Sequence, residues 1–166
     1  MSNIYLVGFM GTGKTTVGKA LAHRKKWSFI DLDELIELKE RKRIVDIFAQ
    51  EGEVYFRRRE KEVLKEVAKE NNFVVACGGG IVLDEENIKI MKETGIVICL
   101  TARVDVILKR TTGFTSRPLL NTSNPKERIE ELLKKRAPFY ARIEKTVDTS
   151  NLSVEKVVEK IIELVD

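Results

Sequence analysis

The chain is poor in the residues that support several common classes of protein. Of its 166 residues two are cysteines, Cys77 and Cys99, and His23 is the single histidine. Two cysteines that each end an apolar run cannot form a disulfide framework, so we expect both to be reduced core residues. A single histidine excludes histidine-rich metal sites. The composition therefore excludes a disulfide-rich secreted domain and a histidine-rich metalloprotein.

Long hydrophobic runs are also lacking. No apolar stretch approaches the roughly 20 residues of a membrane span, and the N-terminus lacks the basic start and cleavage site of a secretory signal. The chain has 30 Lys and Arg residues against 26 Asp and Glu residues, a formal net charge of +4. Because the two signs are interleaved, nothing indicates nucleic acid. We expect a cytoplasmic monomer without nucleic-acid or membrane partners.

What is present is an alternation of short apolar runs and longer helical patterns in a chain of single-domain length. The runs predict five strands: Ile4–Val7, Ser28–Ile30, Phe73–Cys77, Ile96–Leu100 and Thr146–Asp148. The helical patterns cover Lys14–Arg24, Glu34–Lys42, Glu53–Lys69, Asn87–Lys92, Val104–Arg110, Pro125–Arg142 and Ser153–Leu164. Such alternation predicts a parallel sheet with helices on both faces. Ligands of such sheets bind beyond the carboxyl ends of the strands.

A phosphate-binding motif follows the first run. The segment Gly8–Thr15 reads GFMGTGKT, a complete GxxxxGK[ST] placed between a predicted strand and a predicted helix. In this motif backbone N–H groups and the helix N-terminus surround phosphate oxygens. The lysine reaches the outer phosphates and the hydroxyl binds Mg²⁺. The context favours a nucleotide site, with Lys14 and Thr15 in those roles, over a merely structural glycine turn.

Two aspartates end the second run, in the sequence Ile30-Asp31-Leu32-Asp33. Carboxylates separated by one residue at a strand terminus point into the same cleft, close to the phosphate-binding loop. One can hold a Mg²⁺ water while the other orients an acceptor hydroxyl. The alternative is that the pair only caps the next helix, where acidic residues are favoured in the first turn.

One arginine is predicted to point inward from the Glu53–Lys69 helix. The apolar stripe through Phe56 and Val63 carries Arg57 and Glu60 on or beside it. A buried arginine needs a partner, because an unpaired buried charge is costly. Glu60, three residues on, can orient Arg57 without using all of its donors. The pair is either a structural ion pair or an arginine held ready for an anion.

A second inward arginine is predicted on the Pro125–Arg142 helix. Asn124 and Pro125 start this helix, and its stripe of apolar residues continues onto Arg136 and Tyr140. Arginines that point inward from two different helices indicate a clamp for a carboxylate.

Two further segments carry functional signals. The third run ends in Cys77–Gly80, where three glycines can expose backbone N–H groups to a closely approaching ligand; a plain flexible turn is the alternative. The segment Arg110–Asn124 is rich in Thr, Ser, Gly and Pro and contains Arg110 and Arg117. It is too long for a simple connection, and such loops are often lids.

Taken together, these segments closely resemble the shikimate kinase family along nearly the whole chain. The matching motifs, which are specific in this order, are GFMGTGKT at Gly8–Thr15, FIDLD at Phe29–Asp33, IFAQEGEVYFRRRE at Ile47–Glu60, CGGG at Cys77–Gly80, TSRPLL at Thr115–Leu120 and KRAPFY at Lys135–Tyr140. In that family Mg·ATP phosphorylates the 3-hydroxyl of shikimate, a step toward aromatic amino acids. The resemblance implies a three-layer α/β/α fold of the nucleoside monophosphate kinase type, with a five-stranded parallel sheet in the order 2-3-1-4-5.

The resemblance also implies roles at the nucleotide side of the site. ATP and Mg²⁺ are the expected cofactors, with Thr15 and Asp31 as the metal residues. Arg110 corresponds to the arginine near the adenine, close to the loop around Thr149–Ser153, and Arg117 to the lid arginine that reaches the phosphates. The nucleotide-binding residues are expected to be Gly11, Thr12, Gly13, Lys14, Thr15, Thr16, Arg110 and Arg117.

On the acceptor side the resemblance implies that Asp33 contacts the hydroxyls of shikimate. Arg57 and Arg136 correspond to the two arginines on its carboxylate, and Gly79 to a backbone donor to a ring hydroxyl. The expected catalytic residues are Lys14, Asp33 and Arg117. Apolar walls are expected from Ile44, Phe48, Phe56, Pro118 and Leu119.

The expected organisation is a single kinase domain over residues 1–166. Its core covers 1–31, 73–110 and 124–166, a substrate-binding subdomain about 32–72, and a lid about 111–123. The nearest alternatives are a gluconate kinase-like sugar-acid kinase and a non-catalytic nucleotide-binding module. The three-glycine turn and the FRRRE helix disfavour the first. A GTPase-like module would need a guanine-reading NKxD, which the sequence lacks.

Overall fold

The computed structural model describes residues 2–111 and 123–166. The five strands are β1 Asn3–Gly8, β2 Ser28–Asp31, β3 Phe73–Ala76, β4 Gly95–Thr101 and β5 Lys145–Asp148. The α-helices of these residues are α1 Lys14–Lys25, α2 Leu32–Glu40, α3 Ile44–Glu51, α4 Glu53–Val67, α5 Glu85–Thr94, α6 Val104–Thr111, α7 Pro125–Tyr140 and α8 Val154–Val165. One turn of 3₁₀ helix covers Ile81–Leu83.

The strands form a five-stranded sheet in the order β2-β3-β1-β4-β5, and every neighbouring pair is parallel. The predicted fold and strand order are therefore confirmed. β1 lies at the centre, with Leu6 beside Ala76 of β3 on one side and Ile98 of β4 on the other. A parallel sheet with this order aligns the ends of all five strands at one edge, where the following loops meet.

Both faces of the sheet are covered by helices, and the side chains of β1 alternate between the two cores. Ile4 and Leu6 pack with apolar residues of α1 and α8. Tyr5 and Val7 pack in the other core, with residues of α2, α4 and α5. This alternation follows from the two-residue period of a strand. Because both faces are buried, β1 has no exposed residue, which explains why the run shows no polar alternation in the sequence.

The cysteines occupy the positions that the sequence predicts. Cys77 and Cys99 are free, buried and part of the same core. Burial raises the pKa of Cys99 to about 11 and that of Cys77 well above its usual range. Both thiols are therefore protonated at neutral pH and act as small apolar groups.

Several element boundaries differ from those expected from the sequence. α2 begins two residues earlier than predicted and ends at Glu40, because Arg41 adopts a left-handed conformation with φ of 56°. α3 was not predicted at all; it is eight residues long and lacks a side-chain cap within the described residues. α5 begins at Glu85 because the carboxylate of Asp84 accepts the backbone N–H of Glu86.

Of the segment predicted to be a lid, Thr111 is the last residue of α6 and Ser123 precedes α7. Residues 112–122 lie outside the described residues. In residues 2–111 and 123–166, no helix is long and apolar enough to cross a membrane.

Candidate active site

A cleft of about 630 Å³ lies beyond the carboxyl ends of the strands. Its walls include the loops that follow β1, β2, β3 and β5. The described residues that the sequence predicted for the site all line this cleft: Gly11, Thr12, Gly13, Lys14, Thr15, Thr16, Asp31, Asp33, Arg57, Gly79, Arg110 and Arg136. Arg117 lies outside the described residues. The fold therefore brings together groups that are up to 125 positions apart in the sequence (Gly11 to Arg136).

The loop after β1 leaves the N-terminus of α1 open toward the cleft. Gly13 is the N-cap residue and has φ of 101°, a left-handed conformation that suits glycine. Thr12 is fully buried, and its hydroxyl donates to the carbonyl of Phe9 at 2.7 Å. The ammonium of Lys14 donates to the carbonyl of Gly8 at 2.5 Å. The loop thus presents backbone N–H groups and a cation at the end of a helix, where an anion is stabilised.

A hydroxyl and a carboxylate meet beside this loop. The hydroxyl of Thr15 donates to Oδ2 of Asp31 at 2.7 Å. The other oxygen of Asp31 accepts the backbone N–H of Glu34 at 3.1 Å, so Asp31 also caps α2. Capping and a site role were alternatives for this aspartate in the sequence. The structure allows both, because the two oxygens have different partners.

Arg57 points from α4 into the cleft and is oriented by two carboxylates of its own helix. Its NH1 group donates to Oε1 of Glu60 at 3.1 Å, and its NH2 group lies 3.3 Å from Oε2 of Glu53. Glu60 is fully buried. The spacing of three residues therefore produces the orienting contact that the sequence predicts.

Arg136 points into the same cleft from α7 and is 97% buried. Its guanidinium lies 5.6 Å from the ring centre of Phe9. Within the described residues its NH1 group has no hydrogen-bond partner. A buried donor of a charged group without an acceptor is costly, and an anion bound in the cleft would remove that cost.

The three-glycine turn after β3 packs directly against these charged groups. A Cβ at Gly79 would lie 3.1 Å from NH1 of Arg136, and a Cβ at Gly80 would collide with the guanidinium of Arg57. The turn also touches the acidic groups, since a Cβ at Gly78 would lie 2.9 Å from Asp33 Oδ1. A larger residue at any of these three positions would have to displace a charged side chain of the cleft, so the turn packs closely against the charged groups.

Glu60 is an acidic group in an environment that disfavours its charge. Burial raises its pKa to about 7, although the nearby Arg57 opposes the shift, and the carboxylate of Asp33 adds to it. Within the described residues its Oε2 atom has no hydrogen-bond partner. The cleft therefore contains a carboxyl group that changes its protonation near neutral pH.

Two hydroxyl groups hold parts of the site in place. Tyr140 donates to the carbonyl of Gly79 at 2.6 Å, and Thr149 donates to the carbonyl of Thr12 at 2.8 Å. The helical spacing already placed Tyr140 beside Arg136, so the sequence contained a signal for it. No periodicity marks Thr149, which follows β5 in a loop; the resemblance to the shikimate kinase family pointed to this loop, but as one near the adenine.

The apolar wall of the cleft comes from the helices that precede and contain Arg57. Ile44 and Phe48 of α3 and Phe56 of α4 line the cleft as predicted. The rings of Phe48 and Phe56 lie 5.0 Å apart between their centres. Pro118 and Leu119 lie outside the described residues.

The sequence model of one protein family, shikimate kinase, matches residues 10–166. The chain belongs to the shikimate kinase family. The shikimate kinase of Thermodesulfovibrio yellowstonii is 47% identical over 162 residues, which cover 98% of this chain and 94% of that protein. The shikimate kinase of Thermoanaerobacter pseudethanolicus is 46% identical over 98% of this chain and 95% of its own length.

Solved structures agree with this assignment to the shikimate kinase family. The structure of shikimate kinase from Acinetobacter baumannii in complex with shikimate is 41% identical, with a TM-score of 0.95 over 99% of this chain and 92% of that one. A gluconokinase from Sinorhizobium meliloti is 16% identical, with a TM-score of 0.60 over 99% of this chain and 93% of that one. The second likeness shows the fold alone, so it gives no support to the gluconate kinase alternative.

Proposed function

We propose that the protein transfers the γ-phosphate of ATP to the 3-hydroxyl of shikimate, giving shikimate 3-phosphate and ADP. The observation that carries this proposal is the buried NH1 group of Arg136, which has no hydrogen-bond partner among residues 2–111 and 123–166 and lies in the cleft that also contains the phosphate-binding loop. An acceptor bound there should be an anion. Membership of the shikimate kinase family supports shikimate as that anion.

The phosphate-binding loop takes the nucleotide in this proposal. Backbone N–H groups of residues 11–16 bind phosphate oxygens at the N-terminus of α1, and Lys14 neutralises charge on the outer phosphates. Phosphoryl transfer needs mainly positioning and charge stabilisation. The hydrogen bond to the Gly8 carbonyl keeps the Lys14 ammonium at this loop.

Thr15 and Asp31 are the residues that fit Mg²⁺. Their oxygen atoms lie 2.7 Å apart beside the phosphate-binding loop, and oxygen is the donor that this hard cation prefers. Among the described residues no cluster of three or more Asp, Glu, His or Cys side chains could hold a metal. Phosphate oxygens and water would supply the remaining ligands, as is usual for nucleotide-bound magnesium. When bound, the ion neutralises negative charge on the phosphates.

The acceptor lies against the glycine turn. Arg57 and Arg136 bind its carboxylate, and the backbone N–H of Gly79 binds a ring hydroxyl. Asp33 orients the 3-hydroxyl and accepts its proton as the hydroxyl oxygen bonds to the γ-phosphorus and the bond to the ADP oxygen breaks. Close packing of Gly80 under Arg57 supports this placement.

Two further segments of the chain complete the site in this proposal. Residues of about 32–72 act as a substrate-binding subdomain, since Arg57 and the apolar wall both belong to them. Arg117 approaches the transferred phosphate from a lid of about 111–123, which excludes water from the reaction.

A coupled ADP-release assay with shikimate, quinate and gluconate tests the function. We expect turnover with shikimate that exceeds turnover with the other two acids. Lys14→Ala should lower kcat by roughly 100-fold or more, as loss of a group that stabilises charge in the transition state does. Lys19→Ala is the matched control, because Lys19 is an exposed lysine of the same helix. Preferred turnover of gluconate, or near-normal kcat of Lys14→Ala, would contradict the proposal.

A further inference from the structure

The side chains of Arg110 and Thr149 form hydrogen bonds with the phosphate-binding loop. Arg110 of α6 donates from NH1 to the carbonyl of Gly11 at 3.1 Å and to the hydroxyl of Thr149 at 3.1 Å. Its NH2 group donates to the backbone carbonyl of Thr149 at 3.2 Å. Thr149 follows β5 and is 97% buried. Helix α6 and the loop after β5 therefore meet at the phosphate-binding loop.

The chemistry of the hydroxyl fixes the direction of these bonds. A guanidinium can only donate, so the Thr149 oxygen accepts from Arg110 and must give its own proton to a carbonyl. The carbonyl of Thr12 lies at 2.8 Å and that of Thr101 at 3.2 Å, so Thr12 is the better acceptor. A chain of hydrogen bonds thus runs from the guanidinium through the hydroxyl to the loop.

Anchored carbonyls orient the N–H groups on the other side of the same peptide units. In a planar trans peptide the C=O and N–H bonds point in opposite directions. Bonds to the carbonyls of Gly11 and Thr12 therefore turn the N–H groups of Thr12 and Gly13 the other way. Within the described residues neither N–H donates a hydrogen bond, and both residues line the cleft. A hydrogen bond to the carbonyl also polarises its peptide unit and strengthens the N–H as a donor.

From this geometry we propose that Thr149 is a positioning residue for the phosphates of the nucleotide. Its hydroxyl is polarised by the guanidinium of Arg110 and in turn polarises the Thr12–Gly13 peptide. The same hydrogen bond holds that peptide with its N–H toward the phosphates. The role needs a rigid hydroxyl, and the backbone N–H of Thr149 is itself bonded to the carbonyl of Thr101 at 2.8 Å. The proposal deepens the proposed function, since it rests on the nucleotide site described there.

The test compares Thr149→Val, which replaces the hydroxyl with a methyl group, with Thr149→Ser, which keeps the hydroxyl and removes the methyl group. We expect Thr149→Val to raise the Kd of ADP, measured by calorimetry, and the KM of ATP by about three- to tenfold, as loss of one hydrogen bond does. Affinity for shikimate should stay within about twofold of the unmodified protein. Thr149→Ser should restore ADP binding. Thr146→Val on β5 is the matched control, because Thr146 is exposed and outside the cleft.

The outcomes separate this proposal from the proposed function. If ADP binds to Thr149→Val as it does to the unmodified protein, the proposal is wrong. Equal losses in the Val and Ser variants would show that the hydroxyl alone is not the cause, and equal losses of ADP and shikimate affinity would show a general effect on the structure; either result would also overturn the proposal. Because ADP binding is measured without turnover, a protein that failed to phosphorylate shikimate would still give a clear answer about Thr149.

Discussion

At the scale of single residues, the cleft holds charged groups whose donors and acceptors are incompletely matched. Within the described residues, Arg136 NH1 and Glu60 Oε2 are both buried and both lack a hydrogen-bond partner. A fold optimised for stability alone would pair such groups or replace them with apolar ones. In the proposed function, a bound substrate completes this set of interactions.

The first prediction concerns Glu60, whose pKa is raised to about 7 by burial. A carboxylate bound by Arg57 and Arg136 adds negative charge and removes water, so it should raise the pKa of Glu60 further. Substrate binding then favours the protonated form. We therefore expect the affinity for shikimate to fall as the pH rises from 6.5 to 9, by up to about tenfold for each unit by which binding raises the pKa. Calorimetry in buffers of different ionisation enthalpy should show proton uptake near pH 7.

Glu60→Gln should abolish this pH dependence, whatever its effect on the affinity itself. Glu53→Gln is the matched control, since Glu53 also contacts Arg57 but its side chain is half exposed; it should keep the pH dependence. His23, the single histidine, is exposed on α1 and outside the cleft. An affinity for shikimate that is constant from pH 6.5 to 9, or an unchanged pH profile in Glu60→Gln, would contradict the prediction.

At the scale of elements, the sequence predicts strands well and helix ends poorly. All five strands are found, since continuous apolar runs reflect burial on both faces. α3 escaped prediction because a helix of eight residues without a capping side chain leaves little signal. The end of α2 depends on a left-handed Arg41, a conformation that arginine rarely adopts and that no sequence pattern marks.

Helical periodicity also has a limit that Arg59 illustrates. The pattern of α4 places Arg59 on the outer face, where a solvated charge is expected. In the structure its side chain is 80% buried and contacts Glu40 of α2 at 3.0 Å and Glu62 at 2.6 Å. Periodicity identifies the apolar face of one helix, but it does not tell which neighbour covers the other faces. The sequence motifs therefore identified residues that line the cleft, whereas a contact between two helices, such as that of Arg59 with Glu40, could not be predicted.

The second prediction concerns the way in which α7 holds the glycine turn. Tyr140 donates to the carbonyl of Gly79, and burial raises the pKa of Tyr140 to about 12, so the hydroxyl keeps its proton. Tyr140→Phe removes this bond and leaves the ring in place. We expect the KM of shikimate to rise by about two- to tenfold, the effect of one hydrogen bond, while the KM of ATP changes little. Steady-state kinetics with each substrate varied in turn measures both.

Tyr55→Phe is the matched control for this prediction. The hydroxyl of Tyr55 donates to Glu40 at 2.5 Å and links α4 to α2 outside the cleft. Its loss should lower thermal stability to a similar degree without altering either KM. If Tyr140→Phe changes only the melting temperature, as Tyr55→Phe is expected to do, the tyrosine is structural.

At the scale of the whole molecule, two separate sets of elements build the two ends of one cleft. The loop after β1 and the end of α6 line the end that we propose for the phosphates, and α4, α7 and the turn after β3 line the end that we propose for the acceptor. The turn joins them, because a Cβ at Gly79 would lie 3.1 Å from Arg136 and 3.4 Å from the Gly8 carbonyl. Each ligand should therefore stabilise the fold through its own set of residues.

The last prediction uses this division of the cleft. A ligand at 100 times its Kd stabilises the folded protein by about 2.7 kcal/mol, so ADP and shikimate should each raise the melting temperature. Arg136→Met keeps packing over Phe9 but removes every donor, and should abolish the shift from shikimate while preserving that from ADP. Lys14→Ala should weaken the shift from ADP only. Arg136→Lys should restore little, because an ammonium lacks the planar fork. A full shikimate shift in Arg136→Met, measured by scanning calorimetry, would contradict the carboxylate clamp.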